Sequence, residues 1–209
     1  MREFVVNDVG KIGHSSADEL MRIMQSKRID DEIIDTLVIC EHDEIVTVGP
    51  RARNDGISPP PDYATSAVDR GGGLTWHGPG QIVIYPIFKW DLDGEGNVKA
   101  IISILEEWVI KSLSDFGVEA RRDERMQGVW IGENKICSIG LSFLRWTSRH
   151  GLTINYDTPA GRVEMVSGCG LGEDTTTSLA ALGIDLGRDE IIHSLLKNSA
   201  LLGRIQQNE

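Results

Sequence analysis

The clearest hydrophobic pattern in the chain lies between residues 98 and 116, where apolar residues recur three and four positions apart. They are Val98, Ile101, Ile102, Leu105, Trp108, Val109, Leu113 and Phe116. This spacing places them on one stripe of an α-helix. Gly117 follows the last of them, as is typical of the residues that end a helix. We therefore predict a helix from about Val98 to Asp115 whose apolar face packs on the core.

Short apolar runs bounded by turn residues predict β-strands elsewhere in the chain. These runs are Phe4–Val6, Asp35–Cys40, Glu44–Val48, Ile82–Phe88, Gly128–Gly132, Lys135–Leu141 and His150–Asn155. Glu133–Asn134 predicts a hairpin turn between two of them. Further helices are expected over residues 15–27, with Ser15 or Ser16 as the cap, and over residues 176–182 and 188–202. Residues 51–61 end in three prolines and predict an irregular surface loop.

Five glycines alternate with bulky and polar residues in Asp69–Gln81, which has the sequence DRGGGLTWHGPGQ. A flexible linker would carry serine and little bulk. A strand follows the glycines, so no helix N-terminus is offered to a phosphate, and the spacing fits neither a dinucleotide fold nor a phosphate loop. We interpret the stretch either as a tight turn or as a wall whose backbone approaches a ligand closely.

Composition narrows the function classes. The chain has 209 residues, with 40% hydrophobic and 25% charged, which is typical of one ordinary globular domain. Its net charge of −11 argues against nucleic acid as a main partner. The absence of an apolar run of membrane-spanning length and of signal-peptide anatomy predicts no membrane association and a cytoplasmic location. Three cysteines without paired spacing fit a reducing compartment.

Two side chains are candidates for chemistry, each with a plainer alternative. Cys169 lies between two glycines, which favours an accessible thiol, whereas Cys40 and Cys137 lie in apolar strands and fit a structural role. Lys135 opens an apolar strand, and its ammonium either faces a cleft or is a solvated hairpin residue. His77 and His150 stand beside glycines as possible polar groups of the same cleft. The histidines and cysteines lack the spacing of metal ligands, and the chain has no G-x-S-x-G elbow.

Together these residues form a pattern that closely resembles the lipoyl (octanoyl) transferase family. The matching segments are Arg70–Gln81, Gly128–Gly140, His150–Asn155 and Ser167–Leu179, with Glu41–Arg53 similar to an early strand pair of the family. Two positions depart from the family pattern. Gly168 stands where proline usually precedes the Cys–Gly pair, and Ser142 stands where a basic residue is common. The first bears on the nucleophile's turn and the second on how the partner protein is held.

The resemblance implies an α/β fold, with a mixed β-sheet and flanking helices, of the kind shared by lipoate and biotin protein ligases. It implies a single catalytic domain over residues 1–209, with a larger lobe to about residue 160 and a smaller C-terminal lobe from about 161. Cys169 and Lys135 are the implied catalytic residues, with His150 as a possible supporting group. The implied substrate-binding residues are Arg70, Gly71, Gly72, Gly73, Leu74, Thr75, Trp76, His77, Ser138, Ile139, Gly140, Gly151, Leu152 and Thr153.

The implied reaction moves an octanoyl group from an acyl carrier protein thioester to a lysine of a lipoyl domain. The implied acceptors are the lipoyl domains of 2-oxoacid dehydrogenase E2 subunits and the glycine cleavage H protein. Since a thioester already carries the free energy to form an amide, neither ATP nor a metal is expected as a cofactor. Three alternatives stay open: an amidotransferase between carrier proteins, an ATP-dependent lipoate ligase, and a non-catalytic lipoyl-domain binder.

Overall fold

A seven-stranded mixed sheet forms the centre of the computed structural model, which describes residues 1–166 and 175–207. Its strands are β1 (Arg2–Lys11), β2 (Asp35–Glu41), β6 (Gln81–Ile87), β7 (Val129–Ile131), β8 (Asn134–Leu144), β9 (Thr147–Asn155) and β10 (Arg204–Gln206). They lie in the order β10-β1-β2-β6-β9-β8-β7. β1 runs parallel to both β10 and β2, and the remaining neighbours are antiparallel. The predicted mixed sheet is confirmed.

The alternation of side chains along β2 divides the core into two layers. Leu37 and Ile39 pack into the larger cluster, while Val38 and Cys40 point to the other face. Successive strand residues face opposite sides of a sheet, so a strand buried on both faces is apolar throughout. The flanking strand β6 behaves in the same way, and all seven of its residues are buried.

Helices cover both faces of the sheet. The chain contains α1 (His14–Ile29), α2 (Pro50–Asn54), α3 (Val98–Ser114) and α4 (Arg188–Lys197). α1 buries Ala17 and Met21 against the smaller cluster, whereas α3 buries Leu105 and Trp108 in the larger one, where α4 also packs. The predicted bounds of α3 are confirmed, and its predicted stripe is buried from Ile101 to Leu113, whereas Val98 and Phe116 at its two ends are exposed. Asn97 caps the first turn by accepting a hydrogen bond from Ala100 N.

A second, three-stranded sheet stands beside the first. It consists of β3 (Ile45–Val48), β4 (Thr65–Ala67) and β5 (Leu74–His77), in the order β4-β3-β5. Its own apolar cluster includes Tyr63, Leu74 and Trp76 and takes in Val163 and Val166 from the segment after β9. The middle of the glycine-rich stretch, Leu74–His77, is therefore a strand of this small sheet.

Several local expectations were wrong. Residues 50–54 form the short helix α2 because Gly49–Pro50 starts a helical turn as well as ending β3, with proline in the first turn. Between residues 175 and 187 the structure has only a 3-10 turn at Ala180–Leu182, and the last helix breaks at Asn198 into a 3-10 turn, Ser199–Leu202. α1 begins after Gly13, and neither predicted serine caps it.

The C-terminal residues complete the architecture. α4 packs on α3, and β10 then returns the chain to the edge of the seven-stranded sheet beside β1. The division into a larger and a smaller lobe stays a prediction. Among the helices of residues 1–166 and 175–207, none combines the length and apolar character needed to cross a membrane.

Candidate active site

One cavity of about 480 Å³ is lined by residues of both sheets. Its volume lies in the range of natural small-ligand sites. The sequence-predicted residues in its lining are Arg70, Gly71, Gly72, Gly73, Leu74, Thr75, Trp76, Lys135, Ser138, Ile139, Gly140 and Thr153. These residues come from three stretches that are far apart in the sequence, and the pairing of β8 with β9 and the packing of the small sheet bring them together.

A smaller cavity of about 20 Å³ shares part of this lining. The remaining predicted residues, His77, His150, Gly151 and Leu152, line it together with Arg70, Thr75, Ser138, Gly140 and Thr153. The predicted substrate-binding residues and His150 therefore surround two cavities that have walls in common.

The glycine-rich wall is fastened to β8. Gly71 N donates a hydrogen bond to Leu141 O at 3.0 Å, and Gly72 has a φ of +97°. A Cβ atom at Gly140 would lie 2.7 Å from Gly71 O. Neither Gly71 nor Gly140 carries a side chain at this contact, so the two backbone segments approach closely. Together they close one side of the cavity.

Arg70 stabilises this wall from within. Its side chain is buried, and its guanidinium donates to Thr47 Oγ1 at 2.8 Å, to Thr47 O at 3.2 Å and to Gly73 O at 3.1 Å. These bonds tie the wall to β3 of the small sheet. The guanidinium thus contributes positive charge beside the cavity from a fixed position.

Lys135 lies at the start of β8 and is only 4% exposed. Its backbone is held by two hydrogen bonds, from Lys135 N to Thr175 O at 2.7 Å and from Thr177 N to Lys135 O at 3.0 Å. The side chain lines the larger cavity. Of the two alternatives left open for Lys135, the structure has the side chain facing a cavity and not solvated on the hairpin.

Cys169, the predicted nucleophile, lies outside the described residues. The two cysteines within them, Cys40 and Cys137, are both buried. Burial raises the pKa of each thiol to about 12. Neither thiol forms an appreciable fraction of thiolate at neutral pH, as expected of structural cysteines.

Four buried histidines cluster at the smaller cavity, and His14, His77 and His150 line it. The ring centroids of His14, His42 and His77 lie 5.5–6.0 Å from one another, and His42 and His150 both lie near Tyr85. Burial lowers the pKa of His14 to about 4 and that of His77 well below its ordinary value. These imidazoles are therefore neutral at pH 7.

Sequence reasoning missed His14 and His42 as members of this cluster. His14 opens α1 and His42 follows β2, and isolated histidines at such places carry no spacing signal. Among residues 1–166 and 175–207, no group of three or more His, Cys, Asp or Glu side chains is placed to hold a metal ion.

His150 fastens the first residue of the glycine-rich stretch. Its Nε2 lies 2.9 Å from Asp69 Oδ1, and its φ is +57°, an unusual value for a residue other than glycine. Asp69 also pairs with the neighbouring Arg149. His150 thus holds the residue that directly precedes Arg70, and it lines the smaller cavity but not the larger one. Its supporting role stays a prediction.

Two amides that the sequence did not single out connect the sheets at the cavity. Gln81 Nε2 donates to Asn155 Oδ1 at 2.8 Å and to Trp76 O at 2.9 Å. Asn155 Nδ2 donates in turn to Thr177 O at 2.9 Å. Both amides line the cavity. Their only signal was that each is the last residue of a matched motif.

Comparison with known proteins places this site in a family. The sequence model of the lipoyl protein ligase A/B catalytic domain matches residues 17–200. An octanoyltransferase from Solibacter usitatus is 35% identical over 198 residues, which cover 91% of this chain and 89% of the relative. The chain belongs to the octanoyltransferase family. Members of this family are acyltransferase enzymes.

Solved structures that resemble the chain confirm the predicted fold. A bipartite lipoate protein ligase from Thermoplasma acidophilum, described together with its E2 lipoyl domain, gives a TM-score of 0.70 at 17% identity, covering 100% of this chain and 87% of that one. A biotin protein ligase from Aquifex aeolicus gives 0.55 at 13% identity, covering 97% and 69%. At such low identity these likenesses concern the fold alone.

Proposed function

We propose that this enzyme moves an octanoyl group from the thioester of an acyl carrier protein to a lysine of a lipoyl domain, through a thioester on Cys169. The proposal rests on one observation: Lys135 and the glycine-rich wall line the same cavity. Octanoyltransferase relatives that match the chain over most of its length support the acyl group and a lipoyl carrier as acceptor.

The first half-reaction loads the enzyme. The Cys169 thiolate attacks the thioester carbonyl of the donor, and the bond between that carbonyl carbon and the pantetheine sulfur breaks. Lys135 in its ammonium form lowers the pKa of the cysteine thiol and returns a proton to the departing thiolate. Free energy comes from the thioester, so the proposed reaction uses neither ATP nor a metal.

The second half-reaction transfers the octanoyl group from Cys169 to the acceptor lysine. Lys135, now neutral, takes a proton from the incoming lysine, whose amine nitrogen attacks the acyl carbon. The carbon–sulfur bond to Cys169 breaks and an amide forms. The proposed acceptors are the lipoyl domains of 2-oxoacid dehydrogenase E2 subunits and the glycine cleavage H protein.

Oxyanion stabilisation is assigned to backbone N–H groups of the glycine-rich segments. The alternative donor, His77, has both ring nitrogens engaged within the protein, at 2.9 Å from Gln81 Oε1 and 3.2 Å from Thr47 Oγ1. One such backbone donor is typically worth about 3–4 kcal/mol of transition-state stabilisation.

Intact-protein mass spectrometry tests the proposal. The enzyme is mixed with octanoyl–acyl carrier protein without ATP, beside Cys169→Ala, Lys135→Met and Cys137→Ala. We expect a hydroxylamine-labile octanoyl adduct on the wild type and on Cys137→Ala, none on Cys169→Ala, and slow formation on Lys135→Met. Addition of a lipoyl domain should remove the adduct and acylate the domain.

Three other results would each assign this protein a different function. Acylation of the lipoyl domain only with free octanoate or lipoate and ATP would mean a ligase. Loading from an octanoylated lipoyl domain but not from acyl carrier protein would mean an amidotransferase between carrier proteins. Binding of the lipoyl domain without any acylation would mean a non-catalytic binder.

A further inference from the structure

The side chain of Lys135 crosses the face of Gly128. A Cβ atom at Gly128 would lie 2.5 Å from Lys135 Cε and 2.2 Å from Cys137 O. Real Cβ atoms do not approach other atoms so closely, and the φ of Gly128, +130°, is itself rarely adopted by residues with a side chain. The space above Gly128 is therefore the space in which the lysine stem runs.

A buried carboxylate on α3 fixes Gly128 in this place. Glu106 is 5% exposed, and its Oε1 accepts a hydrogen bond from Gly128 N at 2.9 Å. Its other oxygen accepts from Arg122 Nε at 3.1 Å. An acidic side chain is rarely buried in an apolar helix face unless it is paired or bonded. Here the carboxylate connects α3 to the residue against which Lys135 lies.

Glu106 also places a negative charge near the lysine. Lys135 Cε and Glu106 Oε1 both lie against Gly128, so these two atoms are within about 8 Å of each other. The thiol of Cys137 is close to both groups. Burial raises its pKa to about 12, the charge of Lys135 acts to lower that pKa, and the charge of Glu106 acts to raise it.

We propose that Gly128 and Glu106 are positioning residues for Lys135: Gly128 provides the channel for its side chain, and Glu106 anchors that channel and favours the ammonium form. This inference rests on the role proposed above for Lys135. It deepens that role by naming what holds the lysine along the cavity wall and what favours its charge for the first half-reaction.

The first test compares two glycines of the same hairpin region. Gly132 also has a positive φ, +54°, but a Cβ atom there meets nothing within 4 Å. We expect Gly128→Ala to lower the single-turnover rate of adduct formation by about a hundredfold, since a displacement of about 1 Å of a catalytic group has such an effect. Gly132→Ala should stay within about threefold of the wild type, and equal rates for both variants would overturn the inference.

Glu106→Gln provides a second test that does not require a new side chain at Gly128. Its matched control is Glu107→Gln, because Glu107 also bonds Arg122, at 2.8 Å, but has no hydrogen bond to Gly128. Within residues 1–166 and 175–207, the charged and titratable groups around Lys135 are Glu106, which pairs with Arg122, Cys137 and, in the cavity lining, Arg51, Arg70, Glu124 and Arg125. Cys169, on which Lys135 is proposed to act, lies outside these residues.

We expect Glu106→Gln to lower the pKa of Lys135 by about one unit, since it removes a nearby negative charge. Glu107→Gln should leave that pKa within about 0.3 units, because the half-exposed Glu107 is screened by solvent. NMR titration of ¹³C-lysine-labelled protein, with Lys135→Arg for assignment, measures this pKa without any turnover. Equal pKa values in the two variants would refute the assigned role of Glu106. A wild type that forms no octanoyl adduct would instead refute the proposed function and leave this titration interpretable.

Discussion

Replacement of Arg204 by methionine removes a guanidinium that has no exposed surface. Its Nε donates to Asp35 Oδ2 at 2.8 Å, and its Nη1 pairs with Glu95. Its Cζ lies 4.6 Å from the ring centroid of Phe88 and 4.5 Å from that of Trp90. This one residue of β10 therefore joins the C-terminal strand to β2 and to the segment that follows β6.

The expected loss follows from the two carboxylates that remain. Breaking a buried ion pair by removal of one partner typically costs about 3–5 kcal/mol, because the other charge stays buried without compensation. Asp35 retains Arg28, whose Nε lies 2.7 Å from its Oδ1, while the remaining partner of the Glu95 carboxylate in the described part of the chain is Leu92 N, at 3.0 Å. We therefore expect the free energy of unfolding of Arg204→Met to fall by about 3 kcal/mol, the low end of that range.

Urea unfolding at pH 7.5, followed by circular dichroism and tryptophan fluorescence, measures this loss. Arg188→Met is the control, since Arg188 pairs with Asp8 at the surface and should lose at most about 1 kcal/mol. Adding Glu95→Gln to Arg204→Met should recover part of the stability by neutralising the uncompensated carboxylate. A loss equal to that of the control, or no recovery in the double variant, would refute the reasoning.

Three further predictions concern acid stability, sheet packing and the cavity wall. Burial lowers the pKa of His14 from 6.5 to about 4. Between these two pH values, His14 is therefore protonated in the unfolded chain but neutral in the folded protein. His14 should thus lower the free energy of unfolding by about 1 kcal/mol at pH 5.5, and urea titrations should show a smaller acid loss in His14→Gln. Gly151→Ala should cost about 3 kcal/mol in thermal unfolding, because its Cβ would lie 2.0 Å from a carbonyl oxygen of β6. Arg162→Met should speed amide hydrogen exchange in residues 157–166, because Arg162 binds both oxygens of Glu44, each at 2.6 Å, beside the small sheet.

Each of these predictions has a clear contrary result. An acid loss in His14→Gln equal to that of the wild type would show that His14 is protonated in the folded state. Gly10→Ala is the control for Gly151→Ala, since Gly10 has a positive φ but no neighbour within 4 Å, and equal melting temperatures would contradict the clash. Unchanged exchange in Arg162→Met would mean that contacts other than the Arg162 side chain, such as the packing of Val163 and Val166 on the small sheet, hold the segment.

Local pattern was enough to predict most of the main sheet and its longest helix. The apolar stripe gave the bounds of α3, and short β-branched runs located β2, β6 and β9. The matched motifs contain many of the residues that line the cavities, although His14, Val98 and Glu124 lie outside them. These features were predictable because hydrophobic periodicity and the glycines and prolines of turns are visible within a few consecutive residues.

Features that depend on pairing between distant segments came only from the tertiary structure. β5 was not recognised as a strand because it pairs with β3 across the prolines and the glycine-rich stretch, and β10 forms only by lying beside β1. Glu106 lies at the edge of the apolar stripe of α3, and only packing shows that it holds Gly128 against Lys135. Sequence alone thus predicted α3, most strands of the main sheet and the motifs that contribute residues to the cavity walls. The three-dimensional packing decided which polar groups meet, because a buried hydrogen bond or ion pair joins residues whose separation along the chain carries no signal.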